Sequence, residues 1–128
     1  MIYLDSSVVL AQVFAEQTCP ADSFWAQNFF SSRLLEYEVL NRVHARAASV
    51  SNDAAARHLL GRVTLLDMSP DILARALKPF PTALRTLDGL HLATMDFLRA
   101  QGQTLQLASY DRRFVAAAEA LGFSAVAI

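Results

Sequence analysis

Three apolar residues without polar alternation, Ile2-Tyr3-Leu4, run straight into Asp5-Ser6-Ser7 and then into an apolar helical stretch, Val8 to Ala15. This opening constrains the chain more than any other segment. Ile2 to Leu4 read as a short strand covered on both faces. Ser6 and Ser7 offer caps for the helix behind it. Asp5 therefore sits where a strand hands over to a helix, at the carboxyl edge of a sheet. Open parallel sheets bind ligands at that edge. A lone Asp there serves equally well as a helix cap, so Asp5 alone does not decide between the two roles.

The same handover recurs along the chain. Further strands are predicted at Asn28 to Ser31, Val63 to Leu66, Leu105 to Ser109 and Ser124 to Ile128. Between them lie helical signals. A helix restarts at Thr18-Cys19-Pro20, with Pro20 in a permissible first-turn position. A long helix is predicted from Arg33 to Ser49, capped by Ser31 and Ser32, with Leu35, Val39 and Val43 on one stripe. Ser51-Asn52-Asp53 cap a helix over Ala54 to Gly61, and Ser69-Pro70 open one to Leu77. Thr86 to Arg99 form another, and the last runs from Asp111 to Leu121, stopped by Gly122. Strands alternating with helices in this rhythm predict a three-layer α/β/α sandwich. Its central, mainly parallel sheet has about five strands, and residues 1–128 make one domain. Phe24, Trp25, Phe29 and Phe30 read most simply as core or dimer-contact aromatics.

Charge excludes little. A net charge of −1 gives no general basic footprint, so a nucleic-acid role cannot be argued from it. Cys19 is the only cysteine, which rules out an internal disulfide and a cysteine-based zinc site. No apolar run approaches the ~20 residues that span a membrane. An acid at position 5 interrupts any leader sequence. The expectation is a cytoplasmic protein.

Four acids fall at matching places: Asp5 after the first strand, Glu38 in the helix after the second, Asp88 in the first turn of its helix, and Asp111 just after the fourth strand. Helices leaving a parallel sheet start at its carboxyl edge, so these carboxylates converge there. Such a cluster is costly unless protons or a cation offset the repulsion. Hard ions such as Mg2+ or Mn2+ take oxygen ligands and retain waters. The matching chemistry is metal-assisted attack of water on a phosphodiester. Glu36 competes with Glu38, since two positions apart on a helix they point about 200° away from each other. Each has apolar neighbours, and the residues themselves leave the choice open. A phosphatase with a strand-end Asp nucleophile would want a second Asp where Ser7 stands. A response-regulator receiver would want a late-strand lysine, and Lys78 is misplaced for it. A catalytically silent binding module with the same fold is the remaining alternative.

The segments "YLDSSVVL", "SSRLLEYEVL", "LRTLDGLHLAT" and "ASYDRRF", in this order and spacing, resemble the PIN-domain family, and more narrowly the VapC-type toxins of bacterial toxin–antitoxin pairs. The resemblance implies an α/β/α fold, a Mg2+- or Mn2+-dependent RNA endonuclease, a homodimer, and a cognate VapB-like antitoxin that blocks the site. It makes Asp5 and Asp88 the principal metal ligands, with Glu38 and Asp111 binding directly or through water, and it selects Glu38 over Glu36. Ser6 and Ser109 stand at the hydroxyl positions beside the first and last acids. His91, one turn after Asp88, reads as a packed or hydrogen-bonded helix histidine, and Asp96 as solvated surface. Arg112 is placed either to meet RNA phosphates or to pair with the acids, and Arg85 is open to the same two readings. Arg113, also beside Asp111, could meet RNA but has no better reading than surface.

Overall fold

A computed structural model describes residues 1–46 and 50–128. In it β1 (Ile2–Leu4) is followed by α1 (Ser6–Val13), a 3-10 turn (Asp22–Ala26), β2 (Phe29–Ser32), α2 (Leu34–Ala45), α3 (Val50–Leu60) and β3 (Val63–Leu66). Then come α4 (Pro70–Ala76), α5 (Thr86–Ala100), β4 (Gln106–Ala108), α6 (Arg112–Ala120) and β5 (Ser124–Ala125). The five strands form one parallel sheet in the order β3-β2-β1-β4-β5.

Alternation along the strands builds the three layers. Ile2 and Leu4 of β1 and Ala108 of β4 face a core shared with Val9 of α1, Leu35, Val39 and Val43 of α2, and Leu60 of α3. Tyr3 and Leu107, pointing the other way, join Leu92 and Met95 of α5 and Phe114 of α6. A central strand buried on both faces cannot alternate apolar with polar, and so it reads as an unbroken apolar run. Phe24, Trp25 and Phe29 lie in the first core with ring centroids 5.0–5.5 Å apart.

The chain leaves β1 toward β2 and β3 on one side, then returns to place β4 and β5 on the other. The β1/β4 junction is thus the switch point at which crossovers diverge and a crevice opens at the carboxyl ends. Both acids at strand ends, Asp5 and Asp111, follow these two strands.

Several predicted elements differ. Pro20 opens no α-helix; only the 3-10 turn Asp22–Ala26 forms, uncapped by a side chain. Ser51-Asn52-Asp53 do not cap α3, which already includes Val50; Asp53 instead binds Arg57 at 2.9 Å and His44 at 3.0 Å. At α2 the N-cap is Arg33, although Ser32 Oγ accepts from Leu34 N at 3.2 Å. Ser49, the predicted end of that helix, lies outside the described residues. The last strand is shorter than predicted, with Val126 N still donating to Leu107 O at 2.8 Å. Gly122 ends α6 with φ +95°, a conformation that costs a residue with a side chain about 1 kcal/mol or more. Among the described residues no helix is long and apolar enough to cross a membrane.

Candidate active site

Asp5 is the N-cap of α1, in extended backbone with its own N–H donating to Ala108 O across the sheet. Its Oδ2 accepts from Ser7 Oγ at 2.6 Å, Ser109 Oγ at 2.7 Å and Ser7 N at 3.4 Å. Ser7 in turn accepts from Tyr110 N at 2.9 Å, and Ser109 from Asp111 N at 3.0 Å. Asp111 caps α6, its Oδ1 accepting from Arg113 N at 3.0 Å and Phe114 N at 3.2 Å. One oxygen of each acid is therefore spent on fixing the backbone at the ends of β1 and β4. Asp5 Oδ1 and Asp111 Oδ2 have no protein partner among the described residues.

Glu38 comes from α2, on the opposite layer to α5, and reaches over the sheet edge to His91. His91 is 1% exposed. Its Nε2 hydrogen-bonds Glu38 Oε1, and its Nδ1 lies 2.7 Å from the Tyr3 hydroxyl. The Tyr3 oxygen also accepts from Ser32 N at 3.0 Å. Burial raises the Tyr3 phenol well above its ordinary range, so it stays protonated. His91 thus bridges the Tyr3 hydroxyl and the Glu38 carboxylate through its two ring nitrogens. The series Ser32–Tyr3–His91–Glu38 ties the two helical layers together above the carboxyl edge.

Asp5, Glu38, Asp88 and Asp111 line one cleft of about 510 Å³, together with Ser6, Ser7, Arg42 and Arg85. Burial is the main cause of a raised carboxyl at Asp5, outweighing the bonds from Ser7 and Ser109 and the attraction of His91. Asp88 is also raised, first by burial, then by repulsion from Asp111 and Asp5. Mutual repulsion among oxygen donors is what a hard divalent ion relieves, so the donor chemistry fits Mg2+ or Mn2+. Among the described residues no three His, Cys, Asp or Glu side chains are arranged to hold an ion by themselves. Water would have to supply part of the shell, as these ions prefer.

Other predicted site residues fall elsewhere. Ser6 lines the cleft, but the hydroxyl bonded to Asp5 belongs to Ser7. An N-cap carboxylate bonds the second or third helical residue, and here that residue is Ser7. Glu36 lies away from the cleft, 3.9 Å from Arg33. Arg112 pairs with no acid among the described residues and lines a neighbouring groove. Asp96, expected at the solvated surface, is bound between Arg75 at 2.6 Å and Arg99 at 2.7 Å. Arg42 was not singled out by the sequence, although its position four residues after Glu38 puts both on one helix face.

A family model described as PIN domain matches residues 2–120. Ribonuclease VapC35 of Mycobacterium tuberculosis is 30% identical over 132 aligned positions, covering 99% of this chain and 96% of that protein. Ribonuclease VapC46 of the same organism is 33% identical, covering 98% and 96%. The crystal structure of Mycobacterium tuberculosis VapC20, a Sarcin-Ricin loop cleaving toxin, superposes with a TM-score of 0.73 at 21% identity and covers 100% of both chains; it shows the shared fold. Similarity carried from the first strand to the last helix, in sequence as well as in fold, is that of common descent: this chain belongs to the PIN-domain family, within its VapC group.

Proposed function

We propose that residues 1–128 form one Mg2+- or Mn2+-dependent RNA endonuclease domain, the toxin of a type II toxin–antitoxin pair. The observation that carries this reading is four carboxylates, delivered by four separated elements, lining one cleft at the switch point of the sheet. The ribonuclease names of the full-length relatives support the choice of RNA. Asp5 and Asp88 would hold the ion, with Glu38 and Asp111 binding directly or through water. A bound divalent ion supplies a water of lowered pKa and neutralises charge on the phosphate oxygens. The chain's own residues do the positioning: Ser7 and Ser109 fix Asp5, and His91 aims Glu38. The proposal includes a cytoplasmic location; among the described residues no helix is long and apolar enough to cross a membrane. A VapB-like antitoxin as inhibitor and a homodimer as working form complete the proposal.

Incubating the purified chain with RNA in Mn2+ or Mg2+, and in EDTA, tests the reading. Cleavage should require the metal. Hydrolysis of small phosphate esters without RNA cleavage would favour a phosphatase, and neither activity would favour a silent binding module. A second readout needs no substrate. Mn2+ at about 100 times its dissociation constant should add roughly 2.7 kcal/mol to stability. For a domain of this size that is a rise in Tm on the order of 8–14 °C. An unchanged Tm across millimolar Mn2+ counts against a preformed site.

The two glutamates of α2 make a paired test. Glu38→Gln should lower cleavage by roughly 10- to 100-fold, the range for disturbing a metal ligand or its support. Glu36→Gln, on the exposed side beside Arg33, should stay within a few-fold of the parent. The reverse ranking would remove Glu38 from the site.

A further inference from the structure

Ten of the eleven cationic residues are arginines, and their partners are unevenly distributed. Among the described residues five arginines are held by close bonds to Asp53, Asp67, Asp96 or the Trp25 carbonyl. A sixth, Arg46, lies over the Phe14 ring at 4.3 Å and 3.9 Å from Glu16. The other four, Arg42, Arg85, Arg112 and Arg113, have no side-chain hydrogen bond or ion pair among the described residues, and all four border the acid cleft or the cavities beside it. A chain of net charge −1 thus keeps its unengaged guanidiniums at one place. They stand beside the carboxylates without neutralising them, with their planar forks free for a ligand.

On one side these arginines border a formed groove. Arg42 and Arg112 line it with Tyr110, with Phe14 under the Arg46 guanidinium and with Glu16, and its volume of about 460 Å³ is in the range of a small-ligand cleft. It shares Ser7, Leu10 and Arg42 with the acid cleft, so the two adjoin. The Tyr110 hydroxyl itself is buried, with no partner among the described residues. We propose that this groove is the subsite for the stretch of single-stranded RNA adjoining the bond that is cut, with Arg42 and Arg112 holding its phosphates. Aromatic walls beside guanidiniums match a chain in which base faces alternate with anionic phosphates. An acidic peptide would offer the arginines charge without the regular alternation of flat base and phosphate that an RNA strand brings. The proposal rests on the ribonuclease reading and adds the path of the strand to it.

The test is anisotropy of a fluorescent single-stranded RNA, bound to an Asp88→Asn background so that it is not cut, across a range of KCl. Arg42→Gln and Arg112→Gln should each weaken binding about tenfold at low salt. Each should also lower the steepness of log K against log salt by about 0.7. In the cleaving parent the same changes should raise KM with kcat little altered. Arg57→Gln, paired with Asp53 away from the groove, should change neither. Both groove arginines are exposed, so unchanged melting is expected and separates binding from folding. Parental affinity and salt slope in the double variant overturn the proposal, and so does weaker binding at an unchanged slope. Unchanged RNA binding with loss of a co-expressed antitoxin would make the groove a protein-docking site instead. If Asp88-dependent cleavage persists in any of these cases, the nuclease reading stands without the groove. A parent that cleaves no RNA in Mn2+ fails before any arginine is changed, and takes the proposal with it.

Discussion

An Asp88→Asn chain is expected to lose metal-dependent RNA cleavage by more than about 100-fold, the ceiling for losing a residue that merely supports a metal ligand. The same chain should melt higher than the parent when metal is absent. Both outcomes have one origin. Asp88 is half-buried and faces Asp111 and Asp5, so its folded-state carboxyl is raised by burial first and by repulsion second. A carboxyl raised on folding contributes stability below its unfolded pKa of about 3.9. That contribution is lost as pH rises through the folded value. The metal-free parent should therefore weaken between about pH 4 and neutrality. Asp88→Asn removes the titration, and its advantage in Tm should grow over the same interval. Asp5→Asn should be as inactive, because the amide oxygen can still accept from Ser7 and Ser109 while the ligand charge is gone. Melting curves in EDTA from pH 4 to 8 check the stability half. Parental cleavage in both variants would remove the carboxylate cluster from the mechanism.

Replacing His91 by leucine should be the most damaging change away from the four acids. The histidine is enclosed, and it is bonded to Tyr3 on one side and Glu38 on the other. Leucine fills comparable space but leaves the Glu38 carboxylate and the Tyr3 hydroxyl each without the ring nitrogen it bonds. Unsatisfied buried groups of this kind cost about 2–4 kcal/mol together. At this chain length that is a fall in Tm on the order of 6–15 °C. Glu38 would also lose its fixed direction, with a further loss of roughly 10- to 100-fold in metal affinity or activity. His91→Gln, which can still donate toward Glu38, should recover part of the metal affinity. Tyr3→Phe should act mainly on stability, since it removes the remote end of the series. Mn2+ affinity read by thermal shift distinguishes these roles. Parental affinity in a folded His91→Leu chain would mean that Glu38 needs no positioning from α5.

The order of elements was readable because a parallel strand buried on both faces leaves an apolar run, as Ile2 to Leu4 does, while the edge strand Val63 to Leu66 shows itself by its β-branched and leucine content. The acids were readable for a related reason: in such a sheet whatever follows a strand lies at one edge. What escaped depended on side-chain direction or on competition between local signals. Pro20 suits a helix start, but the chain turns into the core after five 3-10 residues that carry Phe24 and Trp25 inward. The polar run at Ser51 to Asp53 looks like a cap, yet the helix passes through it and Asp53 binds Arg57 and His44 instead. Helical spacing could not say that His91 turns inward to Tyr3 while Asp88 faces the cleft. Nor could it choose Ser7 over Ser6, since that depends on where β4 ends beside β1. Pairing Asp96 with Arg75 takes α4 packed on α5, information that no local pattern carries.

The central place of β1 also governs when the site can exist. The bond from Ser109 to Asp5 joins residues 104 apart, and β4, the partner of β1 on that side, follows α5. A ribosome adding about 5–20 residues per second needs roughly 5–20 s to get from one to the other. Throughout that interval β1 can pair with β2, while the edge that will receive β4 stays open. The nascent chain already carries Asp5, Glu38 and later Asp88, but the strand end that gathers them with Asp111 has not yet been made. Assembly of the cleft therefore waits for β4 and Asp111, more than a hundred residues after Asp5 has been made.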